Sequence, residues 1–184
     1  ILIRLKRFEM DVSLYPFTRD AVEEVQVGAR ICRRGDQLEI RYQVNGEVSA
    51  LVLPTPVGRA ERRDQLWTTS CFELFVAAPG IDPYWEYNLS PKGHWNSYAF
   101  RGYRKDAATA KVKPPQLQVS KSETNFCLHV LLQLPAPLER LTLLQAGISV
   151  ILEDNNGGLS YWAAVHPGTK PDFHDRRSFI VKVF

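Results

Sequence analysis

No stretch of the 184-residue sequence is apolar for long enough to cross a membrane. The longest apolar run, residues 128–134, is interrupted by His129 and Gln133, whereas a membrane-spanning helix needs roughly 20 apolar residues. The sequence also lacks the composition of a disordered chain, since 45% of its residues are hydrophobic and only 23% are charged. We therefore expect one globular domain covering residues 1–184, without a membrane partner.

The sequence has no large excess of either charge and no closely spaced pair of cysteines. Lys and Arg number 23 and Asp and Glu 20, a net charge of +3 that does not indicate nucleic-acid binding. The three cysteines, Cys32, Cys71 and Cys127, are far apart and form no CxxC zinc motif. Dispersed cysteines are typical of a reducing compartment, and we predict a cytoplasmic protein. Because the sequence begins at Ile1 rather than Met, a removed leader peptide stays an alternative.

Long helical periodicity is scarce, whereas strand signals recur along the chain. Residues 38–44 alternate apolar and polar side chains, as expected of a half-buried strand. Turn signals lie before this strand at Gly35-Asp36 and after it at Asn45-Gly46, ahead of a predicted strand at 48–53. A further turn signal lies at residues 91–94. Ten or more short strands with little helix predict an all-β fold, an antiparallel β-sandwich of the jelly-roll type.

Residues 67–104 contain the side chains that point to a ligand. If Ser90 pairs with Trp95 across a four-residue turn, one face of the two strands carries a polar set. Glu73, in the preceding strand, is expected to join this face, and Trp67 and Trp95 would stand at its rim. The polar set comprises Tyr84, Glu86, Asn88, Ser97 and Arg101, and the opposite, core face carries Trp85, Tyr87, Leu89, Tyr98 and Phe100.

Such a mixture of side chains suits a carbohydrate. Carboxylates and amides bond to hydroxyl groups, and an aromatic ring stacks on the apolar face of a sugar ring. Two alternatives stay open. The polar residues could simply face solvent, with Glu86 and Arg101 forming a cross-strand ion pair, or Glu73 and Glu86 could be the carboxylate pair of an enzyme acting on a sugar-like substrate.

A second cluster of functional side chains lies in residues 162–177. His166, Asp172, His174 and Asp175 are of types that bind zinc or iron, but their spacing matches no metal signature. Prolines and glycine make the segment a loop, so these residues are expected to satisfy its backbone or to hydrogen-bond a ligand. An enzyme using His166, Asp172 and His174 for acid–base chemistry is the alternative. No GxSxG motif marks a nucleophile.

Three sequence blocks carry a family resemblance: LWTTSCFELFVAAPG, YWEYNLSPKGHWNSYAFRGYR and VILEDNNGGLSYWAAVHPGTKPDFHDRRSFIV. They resemble the bacterial DOMON-like proteins of unknown function, which are grouped with the family 9 carbohydrate-binding modules. The resemblance implies a β-sandwich with a ligand pocket on one sheet, where those modules hold a sugar between tryptophans. It implies stacking on Trp67 and Trp162, with Glu73, Glu86 and Asn88 as polar partners.

The resemblance also brings alternatives to sugar binding. Other DOMON proteins bind haem, commonly through Met and His, and the sequence has one methionine, Met10, and a histidine, His129, in a buried-looking strand. A protein-interaction module is a further alternative. Our prediction is a non-catalytic module with no cofactor and no nucleic-acid partner. It would bind a carbohydrate-like small molecule through Trp67, Glu73, Glu86, Asn88, Trp95, Arg101, Trp162, His166, Asp172 and His174.

Overall fold

Strands make up nearly all of the regular structure. The computed structural model describes residues 9–18, 24–56 and 58–184. Its strands are β1 (Glu9–Pro16), β2 (Val25–Arg34), β3 (Gln37–Gly46), β4 (Cys71–Ala77), β5 (Tyr84–Leu89), β6 (Trp95–Phe100), β7 (Ala108–Thr109), β8 (Gln116–Lys121), β9 (Asn125–Gln133), β10 (Leu144–Glu153), β11 (Leu159–Ala163) and β12 (Val181–Val183). Single-turn 3₁₀ helices lie at Val48–Ala50, Leu66–Thr68 and Arg176–Ser178. No helix in the described ranges is long and apolar enough to cross a membrane. The all-β prediction is confirmed.

The strands pair along one antiparallel path, in the order β7-β6-β5-β4-β10-β11-β1-β2-β3-β9-β8, with β12 paired to β10. β1 joins the two halves of this path, because its residues 9–14 pair with β2 while Tyr15 and Pro16 pair with β11. The path therefore folds into two packed layers. The front sheet contains β1, β2, β3, β9 and β8, and the back sheet contains β4–β7 and β10–β12. The predicted antiparallel β-sandwich is confirmed.

The space between the sheets holds the larger of two apolar clusters. Alternate residues of β4, Phe72, Leu74 and Val76, point into it, as expected of a strand whose faces differ. The ring of Phe72 stacks on Phe126 of the front sheet, with centroids 5.4 Å apart, and contacts Tyr42 edge-on at 5.2 Å. The intervening residues of β4 therefore face the other side of the back sheet, away from the core.

A smaller apolar cluster lies on this outer face of the back sheet. Residues 164–180, here called the crossing segment, run over the face and pack Phe173 and Phe179 against it. Gly147 in β10 permits this approach, since a Cβ there would lie 2.8 Å from Cδ1 of Phe179. The ring of Phe179 also contacts that of Phe75, with centroids 5.6 Å apart. Aromatic contacts thus fix the crossing segment on the sheet, where it forms one wall of the candidate site.

The predicted hairpin at Asn45-Gly46 is wrong. β3 extends to Gly46 and pairs with β9, and residues 48–53 begin as a 3₁₀ helix instead of a strand. Gly46 has φ +113°, and a Cβ on it would lie 1.9 Å from the carbonyl oxygen of Glu24. Glycine is needed here because two chain segments approach closely, not because the chain reverses. The turn at Gly35-Asp36 lies where the sequence predicts it, between β2 and β3.

Candidate functional site

The β5–β6 hairpin decides which side chains share the outer face. Its loop contains residues 91–93 and is closed by the Ser90 N–H, which donates to the His94 carbonyl at 2.8 Å. Gly93 has φ +86°, the left-handed conformation that three-residue hairpin loops use after a type I turn. The expected four-residue turn, with Ser90 opposite Trp95, is therefore wrong by one residue.

This change of register moves every β6 side chain to the opposite face. Glu86 pairs with Tyr98, so Tyr98 and Phe100 lie on the outer face and not in the core, where the sequence analysis put them. Ser97 lies on the core side, and Arg101 follows the end of β6 as an exposed residue. Compared with the prediction, the outer face has two additional aromatic side chains, Tyr98 and Phe100, and lacks the Ser97 hydroxyl and the Arg101 guanidinium.

The outer face and the crossing segment border a cavity of about 420 Å³, a volume typical of small-molecule sites. Four of the predicted binding residues line it, Trp67, Glu73, Glu86 and His174. Its walls are mainly aromatic and include Tyr98, Phe100, Tyr161 and Phe173 together with Trp67.

Trp67 stands at the rim of this cavity. It lies in the 3₁₀ helix Leu66–Thr68, which follows Gln65, a residue at φ +59°. The Thr68 hydroxyl donates to the Gln65 carbonyl at 2.8 Å and closes the turn. Trp67 is 40% exposed, and its ring meets Tyr98 edge-on with centroids 6.0 Å apart. A partly exposed indole braced by a second ring offers a flat apolar surface to a ligand.

A small polar network holds Tyr98 in place. Its hydroxyl donates to Oδ1 of Asp64 at 2.8 Å, and Nδ2 of Asn96 donates to the same Asp64 oxygen at 2.7 Å. Burial, reinforced by the hydrogen bond to Asp64, raises the pKa of Tyr98, so its hydroxyl stays protonated. The ring that braces Trp67 is therefore fixed in position.

Two carboxyl groups form the polar floor of the cavity. Glu73 and Glu86 are 3% and 5% exposed. Glu73 lies opposite Asn88, and Phe75 lies opposite Glu86, which makes the two carboxyls diagonal neighbours on adjacent strands. The Ser149 hydroxyl donates to Oε2 of Glu73 at 3.3 Å, and Nδ2 of Asn88 donates to Oε1 of Glu86 at 2.8 Å. Among the described residues, no hydrogen bond reaches Oε1 of Glu73 or Oε2 of Glu86.

Burial and mutual repulsion oppose ionisation of this pair. Burial raises the pKa of Glu73 well above its ordinary value, and the charge of Glu86 raises it further. Burial also raises the pKa of Glu86 to about 7, although the hydrogen bond from Asn88 and the charge of Arg104 act in the opposite direction. Near neutral pH the pair therefore holds at least one proton, and a protonated carboxyl can donate as well as accept a hydrogen bond.

His174, from the crossing segment, lies next to Glu86. Its Nδ1 is 2.8 Å from the Tyr84 hydroxyl, and its Nε2 is 3.8 Å from Oε2 of Glu86. The Tyr84 hydroxyl accepts the Arg104 backbone N–H at 3.2 Å, which leaves its own hydrogen for Nδ1 of His174. Burial, and secondarily the charge of Arg104, lower the pKa of His174 to about 4. The imidazole is thus neutral near pH 7 and turns its Nε2–H toward Glu86.

Arg104 supplies the guanidinium that the sequence analysis assigned to Arg101. It lies beyond β6 at φ +51° and lines the cavity. Its Nη2 is 2.9 Å from Oδ1 of Asp172, and the Tyr103 hydroxyl donates to the other oxygen of that carboxylate. Asp172 therefore acts on the cavity through Arg104, while Arg101 lies outside it.

Trp95 and Trp162 are buried in the core, so their expected stacking role is corrected. Trp95 is 4% exposed, and the guanidinium carbon of Arg62 lies 4.1 Å from the centroid of its ring. Trp162 is 3% exposed, and its indole N–H donates to the Ser160 hydroxyl at 2.9 Å. It lines a different cavity of about 520 Å³, formed by residues of β1, β2 and β3. The register turns both rings toward the inner face, away from the candidate site.

Asn88 and His166 take supporting positions and do not line the cavity. Asn88 is fully buried and holds Glu86, while its own Oδ1 has no partner. Nε2 of His166 lies 2.9 Å from the Tyr15 carbonyl oxygen. In the part of the chain that the structure describes, no hydrogen bond joins His166 to Asp172, so these two members of the acid–base set considered from the sequence do not act on each other directly.

Several lining residues were missed by the sequence analysis. The glycine at the end of the residue 91–93 loop is the signal for a three-residue turn, and it would have placed Tyr98 and Phe100 correctly. Tyr161 lies opposite Ile151, so its position depends on the pairing of β10 with β11. Phe173 and Arg104 lie outside the strands, where alternation gives no information about direction.

Metal and haem ligands are not gathered at this site. Within residues 9–18, 24–56 and 58–184, no three His, Cys, Asp or Glu side chains are grouped so as to hold a metal ion. Met10 is exposed on β1, and Nε2 of His129 on β9 lies 2.8 Å from Oε1 of Glu39. Both residues belong to the front sheet, and neither lines the cavity.

Solved structures from two bacteria are similar to this chain over most of its length. A candidate carbohydrate-binding protein from Bacteroides uniformis has a TM-score of 0.58 and 16% identity, over 94% of this chain and 85% of its own. A family 9 carbohydrate-binding module from Caldicellulosiruptor kristjanssonii, in complex with glucose, has a TM-score of 0.56 and 8% identity, over 86% and 75% of the two chains. The chain has the fold of the family 9 carbohydrate-binding modules. A family 9 module from the same organism, in complex with cellotriose, has a TM-score of 0.55 and 8% identity, over 86% and 74%.

The predicted resemblance to family 9 modules is thus confirmed at the level of the fold. No protein-family model and no curated protein sequence matches the chain. Identities of 8 to 16% establish no residue-by-residue correspondence with the neighbours. Roles of individual side chains therefore follow from the geometry of this chain alone.

Proposed function

We propose that the protein is a non-catalytic module that binds a saccharide in the cavity on the outer face of the back sheet. One observation carries the proposal: a partly exposed Trp67 stands over a floor formed by two buried carboxyls, Glu73 and Glu86. The family 9 neighbours in complex with glucose and with cellotriose support it, because they have the same fold.

The size of the cavity suits a small saccharide. Its volume of about 420 Å³ lies within the range of small-molecule sites. A sugar that enters this space displaces water and covers part of the apolar wall, which contributes to binding.

The polar groups match the hydroxyl groups of a sugar. A protonated carboxyl of the Glu73–Glu86 pair donates one hydrogen bond and accepts others. His174 offers its Nε2–H, and Arg104 has guanidinium N–H groups beyond the one directed at Asp172. Each sugar hydroxyl is both donor and acceptor, so this mixed set can satisfy several of them together.

Calorimetric titration with glucose and cellotriose tests the proposal. The wild-type protein should give saturable binding, and Trp67→Ala should weaken it by about tenfold or more because the stacking surface is lost. Ile81→Ala, which truncates another exposed apolar residue that does not line the cavity, is the matched control and should bind like wild type. Absence of binding by the wild-type protein, or unchanged binding by Trp67→Ala, would refute the proposal.

Acid–base chemistry on a sugar-like substrate is a second candidate function. It is favoured by the pKa of Glu86, which burial raises to about 7 inside a cavity that also holds a second carboxyl. Release of the chromophore from aryl glycosides would support this function if Glu86→Gln abolished it. Turnover that persists in Glu86→Gln would exclude the carboxyl pair as its source.

A further inference from the structure

Acidic side chains outnumber permanently cationic ones among the residues that line the cavity. Glu73 and Glu86 lie on its floor, and the neighbouring His174 is neutral near pH 7. Among the residues that line the cavity, all of which the structure describes, Arg104 is the one permanent cation. Its guanidinium is paired with Asp172 at 2.9 Å, and among the described residues no arginine or lysine forms an ion pair with either floor carboxyl.

Each carboxyl of this pair lines the cavity and has one oxygen to which no described residue donates a hydrogen bond, Oε1 of Glu73 and Oε2 of Glu86. Glu73 is 3% exposed, lines the cavity and receives one long hydrogen bond, from Ser149 to Oε2. Glu86 receives one hydrogen bond, from Asn88 to Oε1. Because a buried carboxylate without a cation is destabilised, the pair keeps at least one proton near neutral pH. A positively charged ligand group would take the place of such a proton.

The cavity walls favour a cation as well. Trp67, Tyr98, Phe100, Tyr161 and Phe173 all line the cavity, and the faces of aromatic rings attract positive charge. Rings from the sheet, the rim and the crossing segment, combined with two carboxyls, are better suited to a ligand that carries an ammonium group.

We propose that the cavity selects an amino sugar, with its protonated amine placed between Glu73 and Glu86, over the neutral sugar of the same shape. This inference rests on the proposed function, and it adds the chemical class of the saccharide. The ammonium group has three hydrogens, enough to donate to Oε1 of Glu73 and Oε2 of Glu86 together. When it binds, one proton held by the pair leaves to solvent, so that the ammonium charge replaces the charge of that proton.

Calorimetric titration with glucosamine, glucose and N-acetylglucosamine, near neutral pH and at one ionic strength, tests this inference. Glucosamine should bind about tenfold or more tightly than glucose, because a charge-assisted hydrogen bond is stronger than a neutral one. N-Acetylglucosamine, which lacks the charge, should show no such gain. Glucose binding without a preference for glucosamine would overturn this inference alone, whereas failure of all three sugars to bind would overturn the proposed function too.

Variants of the carboxyl pair give a second test. In the double variant Glu73→Gln and Glu86→Gln the preference for glucosamine over glucose should disappear, and in Glu86→Gln alone it should fall several-fold. Glu39→Gln, a carboxyl variant in the front sheet, should keep the full preference. Thermal melting confirms that each variant is folded. A preference that survives in folded Glu86→Gln at the wild-type ratio would contradict the inference.

Discussion

Oε2 of Glu86 lies 3.8 Å from Nε2 of His174, and burial shifts the pKa values of these two groups in opposite directions. The pKa of Glu86 is raised to about 7, and that of His174 is lowered to about 4. Between these values both side chains are uncharged, so the contact joins a neutral acid to a neutral imidazole. The cavity floor is therefore polar without being strongly charged.

Glu86→Gln should change how stability depends on pH. Because the pKa of Glu86 rises from about 4.5 to about 7 on folding, the folded protein binds more protons than the unfolded chain between these values. The stabilising contribution of Glu86 is complete below the lower value and is lost as pH rises through about 7. The unfolding free energy of wild type minus that of Glu86→Gln should thus fall by about 3 kcal/mol over this window. Denaturant unfolding at several pH values measures this difference.

His174 provides the internal control for that experiment. Its pKa is lowered on folding from 6.5 to about 4, so its contribution is complete above the upper value and is lost as pH falls through the lower one. This dependence has the opposite sign and is present in both proteins, so it cancels in the difference. A difference that is constant, or that rises with pH, would mean that Glu86 is ionised in the folded protein.

Two tryptophan variants separate the site from the core. Trp162→Ala should destabilise the protein by about 3–5 kcal/mol, because it leaves a cavity among buried side chains. Trp67→Ala, at a residue that is 40% exposed, should change the unfolding free energy by less than about 0.5 kcal/mol. Equilibrium denaturation of both variants makes the comparison. Equal losses would place Trp67 in the core and remove it from the site.

Two arginines close together in the sequence form a matched pair. Arg104→Gln removes a guanidinium that lines the cavity, and it should weaken glucose binding by about tenfold. Arg101→Gln changes an exposed residue outside the cavity and should bind glucose like wild type. Calorimetric titration with glucose compares the affinities of the two variants. Weakened binding by Arg101→Gln with unchanged binding by Arg104→Gln would contradict this assignment and would support the β6 register that the sequence analysis expected.

Gly147→Ala should disturb the wall of the cavity by moving the crossing segment. The new Cβ would lie 2.8 Å from Cδ1 of Phe179, and we expect a loss of about 1–3 kcal/mol in unfolding free energy. In a Phe179→Ala background the same substitution should cost much less, because the clashing ring is gone. A double-mutant cycle by denaturant unfolding measures this coupling. Strictly additive effects would show that the two residues are not in contact.

The sequence predicted the fold better than the site because alternation is a local property, whereas register depends on the turn. Glu73 and Glu86 were placed on one face from their strands alone, and β4–β5 pairing bears this out. The sequence analysis put Tyr98 on the core face and Arg101 on the outer face because it assumed a β5–β6 loop that is one residue too long. The positions of His174 and Phe173 depend on the path of the crossing segment, which the packing of Phe179 against Gly147 determines and no sequence period indicates.

The central claim is that a saccharide stacks on Trp67 above the Glu73–Glu86 floor. A ¹⁵N NMR titration with cellotriose tests it most directly, because each of the 4 tryptophans gives its own indole N–H signal. The Trp67 signal should shift in a saturable way, while those of the buried Trp95 and Trp162 stay in place. A titration that leaves the Trp67 signal unmoved, or that moves the signal of Trp162 instead, would contradict the claim.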